Sequence, residues 1–421
     1  MREMVKTDIP WMPEISSDFS VGYVKQYFFV SKDLSNDGEP ERVLKLARAG
    51  IVEKDVTTNE GQMAASYAGY NKVCVGDLLL NPMDLYSGAN CNVSELNGVI
   101  SPAYSNLRAK KTGTVVPKYY DYYFKSQYWL MAMFAHGKGV SFDNRWTLNN
   151  DALRSYEIPV APYAMQQKIV DAIQDGEKKV DSLIANVQAQ IEKLKAYKQS
   201  LITEVVTKGL DPNAPMKDSG VEWIGKIPAH WSILRFKNIA DIKSNLVNPK
   251  DYMDYFQVSP ENIEKGSGKL LTCITVREIG VESNNHLFHK GQIIYSKVRP
   301  LLNKVAIAPF DGLCSADMYP VEAKINKKFL VYSMLSDSFL NQVKLVTENR
   351  VKMPKINQEE LSKIKVCCPE DSEQKRIADY LDAKCSQIDR LISLKESKIE
   401  KLQQYKRSLI YEYVTGKKEV V

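Results

Sequence analysis

The sequence predicts an α+β chain, in which two mixed domains are separated by two long antiparallel coiled-coil helices that form a pseudo-twofold internal repeat. Two observations carry this reading. YKQSLITEVVT at Tyr197 to Thr207 returns as YKRSLIYEYVT at Tyr405 to Thr415, with eight of eleven positions identical and an offset of 208. That period is far too long for a solenoid and suits a domain plus a helix. Short β-rich runs then precede an aromatic helical stretch in each half, the mixture expected of α+β domains.

The repeat extends upstream at the same offset. Gln166, Ile169, Asp181, Leu183, Ile184, Ile191, Glu192, Lys193 and Leu194 recur as Gln374, Ile377, Asp389, Leu391, Ile392, Ile399, Glu400, Lys401 and Leu402. A fainter repeat lies in the globular segments. Gly76-Asp77-Leu78-Leu79-Leu80 resembles Gly291-Gln292-Ile293-Ile294-Tyr295, and Gly98-Val99-Ile100-Ser101 resembles Gly312-Leu313-Cys314-Ser315. The lead-ins match loosely as Ile9-Pro10 and Ile227-Pro228.

The division that follows runs 1–160 for the first mixed domain, 161–209 for the first long helix and 210–231 for a linker. A second domain occupies 232–368, and 369–421 forms the second helix and tail. With 421 residues, 44% hydrophobic and 26% charged, the chain can bury two ordinary cores. No apolar run approaches a membrane span, and MREMVKTDIPW lacks the apolar stretch of a signal peptide, so the cytoplasm is expected. Seven cysteines without a C-x-x-C pair indicate neither a disulfide framework nor a zinc site. A net charge of +6 permits a polyanionic partner.

Along the first helix Ile173, Val180, Ile184, Val187, Ile191, Leu194 and Leu201 alternate in threes and fours, with seam places left for Glu177 and Lys198. The second copy offers Ile388, Ile392, Ile399, Leu402 and Leu409, with Lys395 in the slot of Val187. This is a heptad seam, and its natural partner is its own copy. The helices are expected to begin near Gln166 and Gln374, and the first to stop at Lys208-Gly209. Leu183 and Leu391 widen the stripe beyond the needs of two helices, which implies a further partner.

The linker, Asp211 to Trp231, carries prolines and glycines that rule out a continuing helix, with Trp223 and Trp231 available to pin it. Gly220 to Lys226 has the spacing of a phosphate loop, but Ile227 stands where a magnesium-ligating hydroxyl belongs and no apolar strand precedes it. Asn81-Pro82-Met83-Asp84 resembles an amino-methyltransferase N-P-P-Y motif without its second proline and aromatic, so a strand followed by a turn explains it better. The H-x-x-H at His286 and His289 reads as a solvated loop. No catalytic constellation and no metal set emerges. Cations on loops, Arg108, Lys110 and Lys111 in the first domain and Lys297, Arg299, Lys304, Arg350 and Lys352 in the second, are candidates for DNA contact.

The whole layout, above all KDSGVEWIGKIPAHW at Lys217 to Trp231 and the two YKxSLI helix ends, resembles the specificity subunit of type I restriction-modification systems. The resemblance implies target recognition domains that each read half of a split double-stranded DNA site. It implies helices that set the gap and dock two modification (methyltransferase) subunits, and two restriction (motor-nuclease) subunits for cleavage in host defence. The chain itself would be non-catalytic and hold no cofactor. S-adenosylmethionine, ATP and Mg would belong to the partners. The alternatives are a free-standing DNA methyltransferase or nuclease with unrecognised motifs, and a coiled-coil scaffold.

If the helices measure DNA, inserting four residues after Ala185 lengthens one of them by about 6 Å and nearly preserves the seam. Mapping of methylated adenines should then show both half-sequences kept and one or two bases gained between them. An unchanged gap in a folded, methylation-competent protein would limit the helices to holding partners.

Overall fold

The computed structural model describes residues 3–47, 50–55, 64, 66–83, 85, 91–139, 146–350 and 353–420. The chain divides into two compact units, neither continuous in sequence: residues 1–187 with 397–421, and residues 188–396. The cut falls inside both long helices, Tyr163–Lys208 and Asp371–Val414. Each helix starts three residues before its glutamine, directly after the loop that carries Pro162 or Pro369.

In the first unit, a four-stranded sheet runs Phe28–Ser31, Ser105–Ala109, Leu78–Leu80, Cys91–Val93, and a second runs Gly50–Glu53, Val43–Ala47, Gly98–Ile100, Asn71–Val73. In the second unit, the order Ala240–Ile242, Met318–Ala323, Ile293–Ser296, Val305–Ile307 repeats the first sheet. Its companion has Ile274–Thr275, Phe256–Val258, Gly312–Cys314, Asn285–Phe288 and an added Leu246–Val247. The faint repeat is therefore a repeat of topology. Gly76 and Gly291 open equivalent turns at φ 90° and 92°, where only glycine is unstrained. Gly98–Ile100 and Gly312–Cys314 each pair parallel to one neighbour and antiparallel to another.

The segment Val73 to Leu80 is two strands around a tight turn. The aromatic helical stretch expected at Lys118 to Phe134 is the helix Pro117–Trp129 followed by a separate 3-10 turn, Ala132–His136, in the first unit; in the second it is broken at Ser336 into Lys327–Leu335 and Asp337–Thr347. The Ser336 side chain accepts from the Phe339 N–H, capping the second piece.

The lead-ins correct the sequence reading. Strands Met4–Lys6 and Glu14–Ser16 pair as Met216–Asp218 and Lys226–Pro228 do, so Ile15, not Ile9, is the counterpart of Ile227. Phe19 then corresponds to Trp231. Each aromatic closes over the glycine that ends a long helix: a Cβ at Gly209 would lie 3.1 Å from the Trp231 ring, and one at Gly416 would lie 2.9 Å from the Phe19 ring. Both glycines have positive φ, as helix-stopping residues should. Trp231 is buried and donates its indole N–H to Glu373, whereas Trp223 is 39% exposed.

Within each unit the two helices run antiparallel. In residues 188–396, Gln190 meets Lys395 and Lys198 meets Asp389; in the other unit, Asp181 meets Lys406 and Gly176 faces Leu409. Ile173, Val180, Val187, Ile191, Leu201, Ile388 and Leu409 are buried, and Ile184, Leu194, Ile392, Ile399 and Leu402 are half-buried. The two polar seam places are filled by charge. Lys198 pairs with Asp389 at 2.7 Å, and Glu177 takes Lys406 at 3.3 Å and the Tyr122 hydroxyl at 2.6 Å. Burial alone would raise the Asp389 carboxyl, but hydrogen bonds from Lys198 and Lys269 hold it below the usual range.

The repeated glutamines explain themselves. Gln166, buried, accepts from the Val116 N–H at 2.7 Å and donates to the Ala161 carbonyl at 2.8 Å. Gln374 accepts from the Asn326 N–H at 2.9 Å and donates to the Pro369 carbonyl at 2.8 Å. Each therefore joins the start of a long helix to the start of its domain's own helix. Gln374→Ala leaves one buried donor and one buried acceptor unpaired, at about 1–3 kcal/mol each. Thermal unfolding should show a clear fall in Tm; an unchanged Tm would mean that the side chain is not a structural pin.

Candidate nucleic-acid interface

The cations proposed for DNA contact fall into three environments. Arg108 is committed to structure. It lies on the strand Ser105–Ala109 and grips Asp77 with two bonds of 2.8 and 2.7 Å; the Asp77 side chain is 2% exposed. Hydrogen bonding to Asp77 holds the guanidinium firmly charged. Asp77 also accepts from the Cys74 N–H and the Asn106 amide, so it braces the turn at Gly76. In the second domain Gln292 braces the equivalent turn through the His289 N–H and bonds Glu322, which stands where Arg108 does.

A second group is partly engaged. Lys304 donates to the Pro260 carbonyl at 2.6 Å, and Arg350 is held by the Lys355 carbonyl and Glu360. The ammonium of Lys297 lies 5.0 Å over the Tyr319 ring and that of Lys110 lies 5.0 Å over Phe29, contacts that leave cation hydrogens free for other acceptors. The third group, Lys111 and Arg299, is exposed and has no side-chain partner among the described residues. Arg299 sits at φ 47°, in a loop that also places Asn303 at φ 48°. Lys352 and Asp84 lie outside the described residues.

Lys297, Arg299 and Lys304 come together on one loop after the strand Ile293–Ser296. Lys297 and Arg299 are tied to the segment before the helix Gln358–Lys363 by the Ile356 N–H to Lys297 and the Arg299 N–H to Pro354. Arg108 and Lys110 share a strand and its end, away from any such loop. Sequence reasoning selected charge type without seeing this division.

The rejected motifs resolve as turns. Asn81 follows the strand Leu78–Leu80 and accepts from the Met83 N–H, as an Asx turn does. Gly220 to Lys226 is the loop of the hairpin that pairs Asp218 with Lys226, and no helix follows it. His286 is not in a solvated loop: it lies buried in the strand Asn285–Phe288, and burial, then the charge of Lys297, lowers its pKa. Among the described residues no group of three His, Cys, Asp or Glu could hold a metal ion, and no helix is long and apolar enough to cross a membrane.

Arg108→Ala strands the buried Asp77 carboxylate and should cost on the order of 3 kcal/mol of stability, whereas Lys111→Ala should leave stability unchanged within about 0.5 kcal/mol. Denaturant titration of both variants checks this. Equal stabilities would mean that the Asp77 pair is not structural.

Comparison with known proteins agrees with this architecture. The family model for the type I restriction modification DNA specificity domain matches residues 228–404. The type I restriction enzyme EcoDI specificity subunit of Escherichia coli is 39% identical over 222 residues, covering 48% of this chain and 50% of that one, so this chain spans half the length of that relative. The MjaVIII specificity subunit of Methanocaldococcus jannaschii is 24% identical over 414 residues, covering 93% of this chain and 86% of that one. Among solved structures, a chain from a study of complex assembly and conformational transition of the type I R-M system superposes with a TM-score of 0.70. It is 13% identical, with 95% and 98% of the two chains covered. The HsdS subunit from Thermoanaerobacter tengcongensis gives 0.51 at 12% identity, with 96% and 98% covered. With its doubled α+β frame and its paired YKxSLI helices, the chain is similar to type I restriction-modification specificity subunits, and its residues 228–404 match their DNA specificity domain.

Proposed function

We propose that the chain is the non-catalytic DNA-recognition subunit of a type I restriction-modification complex, and that each mixed domain reads one half of a split double-stranded site. The observation that carries this is one frame built twice with different side chains on it: equal strand order and equal turns, but Arg108 against Glu322 and Pro82 against Lys297. A scaffold has no need of two such frames with divergent faces. A duplicated reader of two different sequences does.

The helices support a partner present in two copies. Leu183 and Leu391, at 50% and 48% exposed, and Tyr197 and Tyr405, at 58% and 52%, are the same residues in both copies of the repeat and lie outside the seam. Large apolar side chains kept exposed in equivalent pairs suit two identical modification subunits. Two motor-nuclease subunits complete the complex for cleavage. S-adenosylmethionine sits on the modification subunits, ATP and magnesium serve the complex, and the assembly works in the cytoplasm. Lys110, Lys111 and Arg299 are the cations best placed for phosphate, being the least engaged within the fold.

Exchange of residues 232–368 for those of a relative should change one half of the methylated sequence and leave the other fixed, read by mapping methylated adenines. Changes in both halves would overturn the modular reading. Methyl transfer by this chain alone, without a modification subunit, would favour a free-standing enzyme instead.

A further inference from the structure

A cleft of about 490 Å³ opens in the first domain beside the ends of its two sheets. Its polar lining includes Lys32, Asn71, Tyr104, Ser105, Asn149 and Asn150. The volume lies in the range of ligand-binding clefts. Its chemistry is of one kind: amides and hydroxyls, one lysine, and no carboxylate. A phosphate cradle would gather several cations, and a metal site would need acidic ligands.

Part of this lining is fixed and part is available. Asn149 caps the helix Asn150–Arg154 by accepting from the Ala152 N–H at 2.8 Å, and Asn71 reaches the Tyr104 carbonyl at 3.4 Å. Asn150 accepts from Ser105 at 3.4 Å. Among the described residues its amide nitrogen, the Tyr104 hydroxyl and the Lys32 ammonium have no hydrogen-bond or ionic partner.

The second domain builds the same frame. The Leu148 N–H bonds the Pro82 carbonyl at 2.8 Å, as the Ile356 N–H bonds the Lys297 carbonyl at 3.0 Å. Asn357 caps its helix as Asn149 does, accepting from the Glu360 N–H at 2.9 Å. Leu34 pairs with Asn71 as Leu246 pairs with His286. On this frame the chemistry differs. His286 replaces Asn71 and Lys297 replaces Pro82, with Lys297 over Tyr319. The bonds that shape the place are kept and the groups that line it are changed, which is what two readers of different base sequences require.

We infer that the cleft at Asn150 in the first domain, and the equivalent place at Lys297 in the second, are where each domain reads base edges in the major groove. This rests on the reading of the chain as a DNA-recognition subunit and assigns that reading to particular side chains. The amide of Asn150 matches the paired acceptor and donor of adenine, and the ammonium of Lys297 matches the two acceptors of guanine. Lys32 at the rim suits the flanking phosphate.

The test uses the full chain assembled with a modification subunit, acting on duplex libraries randomised in both half-sites, with methylated adenines mapped by sequencing. Asn150→Ala should reduce discrimination at a single base of one half-site by roughly tenfold to a hundredfold and leave the other half-site unchanged. Lys297→Ala should do the same in the other half-site alone. Wild-type preference at every position in both variants would overturn the assignment, and so would loosening of the same half by both. Where a variant no longer supports methylation, gel-shift competition with duplexes substituted one base at a time reads the same quantity and decides in the same terms. If the wild-type assembly itself shows no sequence preference, the recognition reading fails, an outcome distinct from failure of the cleft.

Discussion

Everything in this chain depends on one constraint: a helix of about forty residues with a single apolar stripe cannot stand alone in water. Its partner is the other copy of itself, arriving antiparallel. The arrangement then completes more than the seam. Leu201, Ile202, Val205 and Val206, from the end of the first helix, belong to the core of the second domain. Ile410 and Val414, from the end of the second helix, belong to the core of the first, where Tyr119 donates its hydroxyl proton to the Val414 carbonyl. Each domain's core is thus finished by the last turns of a helix that begins in the other half of the sequence.

The charged groups follow the same logic. Asp181 with Lys406 and Asp389 with Lys198 are one ion pair made twice, because aspartate and lysine recur together at the offset of the repeat. The Lys198–Asp389 pair is partly buried and Asp181 is exposed, and such pairs contribute less as net stability than as a condition on register: a slip of the helices would separate both pairs at once. A second shared contact joins each domain to its helix. Tyr122 donates to Glu177, and Tyr332, at the same place on the equivalent domain helix, donates to Asp382. In both cases burial and then the carboxylate bond push the phenol pKa up, so the tyrosine remains a donor.

A rigid, repeated frame leaves the loops free to diverge. The turn at Gly76 is braced by Asp77 and Arg108, and the turn at Gly291 by Gln292 and Glu322. The backbone demand is equal, and two chemistries meet it. This is why a charged residue on a strand near a loop is a poor guide to nucleic-acid contact. Arg108 looked like a DNA ligand by type, and its guanidinium is occupied by a buried carboxylate. The groups with free hydrogen-bonding capacity include neutral amides and hydroxyls, which carry no signature in composition.

The sequence by itself determined the architecture. Periodicity is a local property, so the heptad seam at Ile173 to Leu201, the glycine stop at Gly209 and the duplication of both helices were legible from residue spacing, as were β-rich runs at Val73 to Leu80 and Gln292 to Tyr295, though not the turn that splits the first of them. The counterpart of Trp231 was also present as Phe19, with Trp11 and Ile15 in step with Trp223 and Ile227, but drift in loop length disguised the alignment until strand pairing fixed it. Tertiary structure alone decided the rest. Whether Gln166 pins a helix, whether His286 is solvated, and whether a given lysine or arginine is free depend on which side chains arrive from distant parts of the chain. Hydrogen bonding and burial are satisfied in space, and no spacing along the sequence records them.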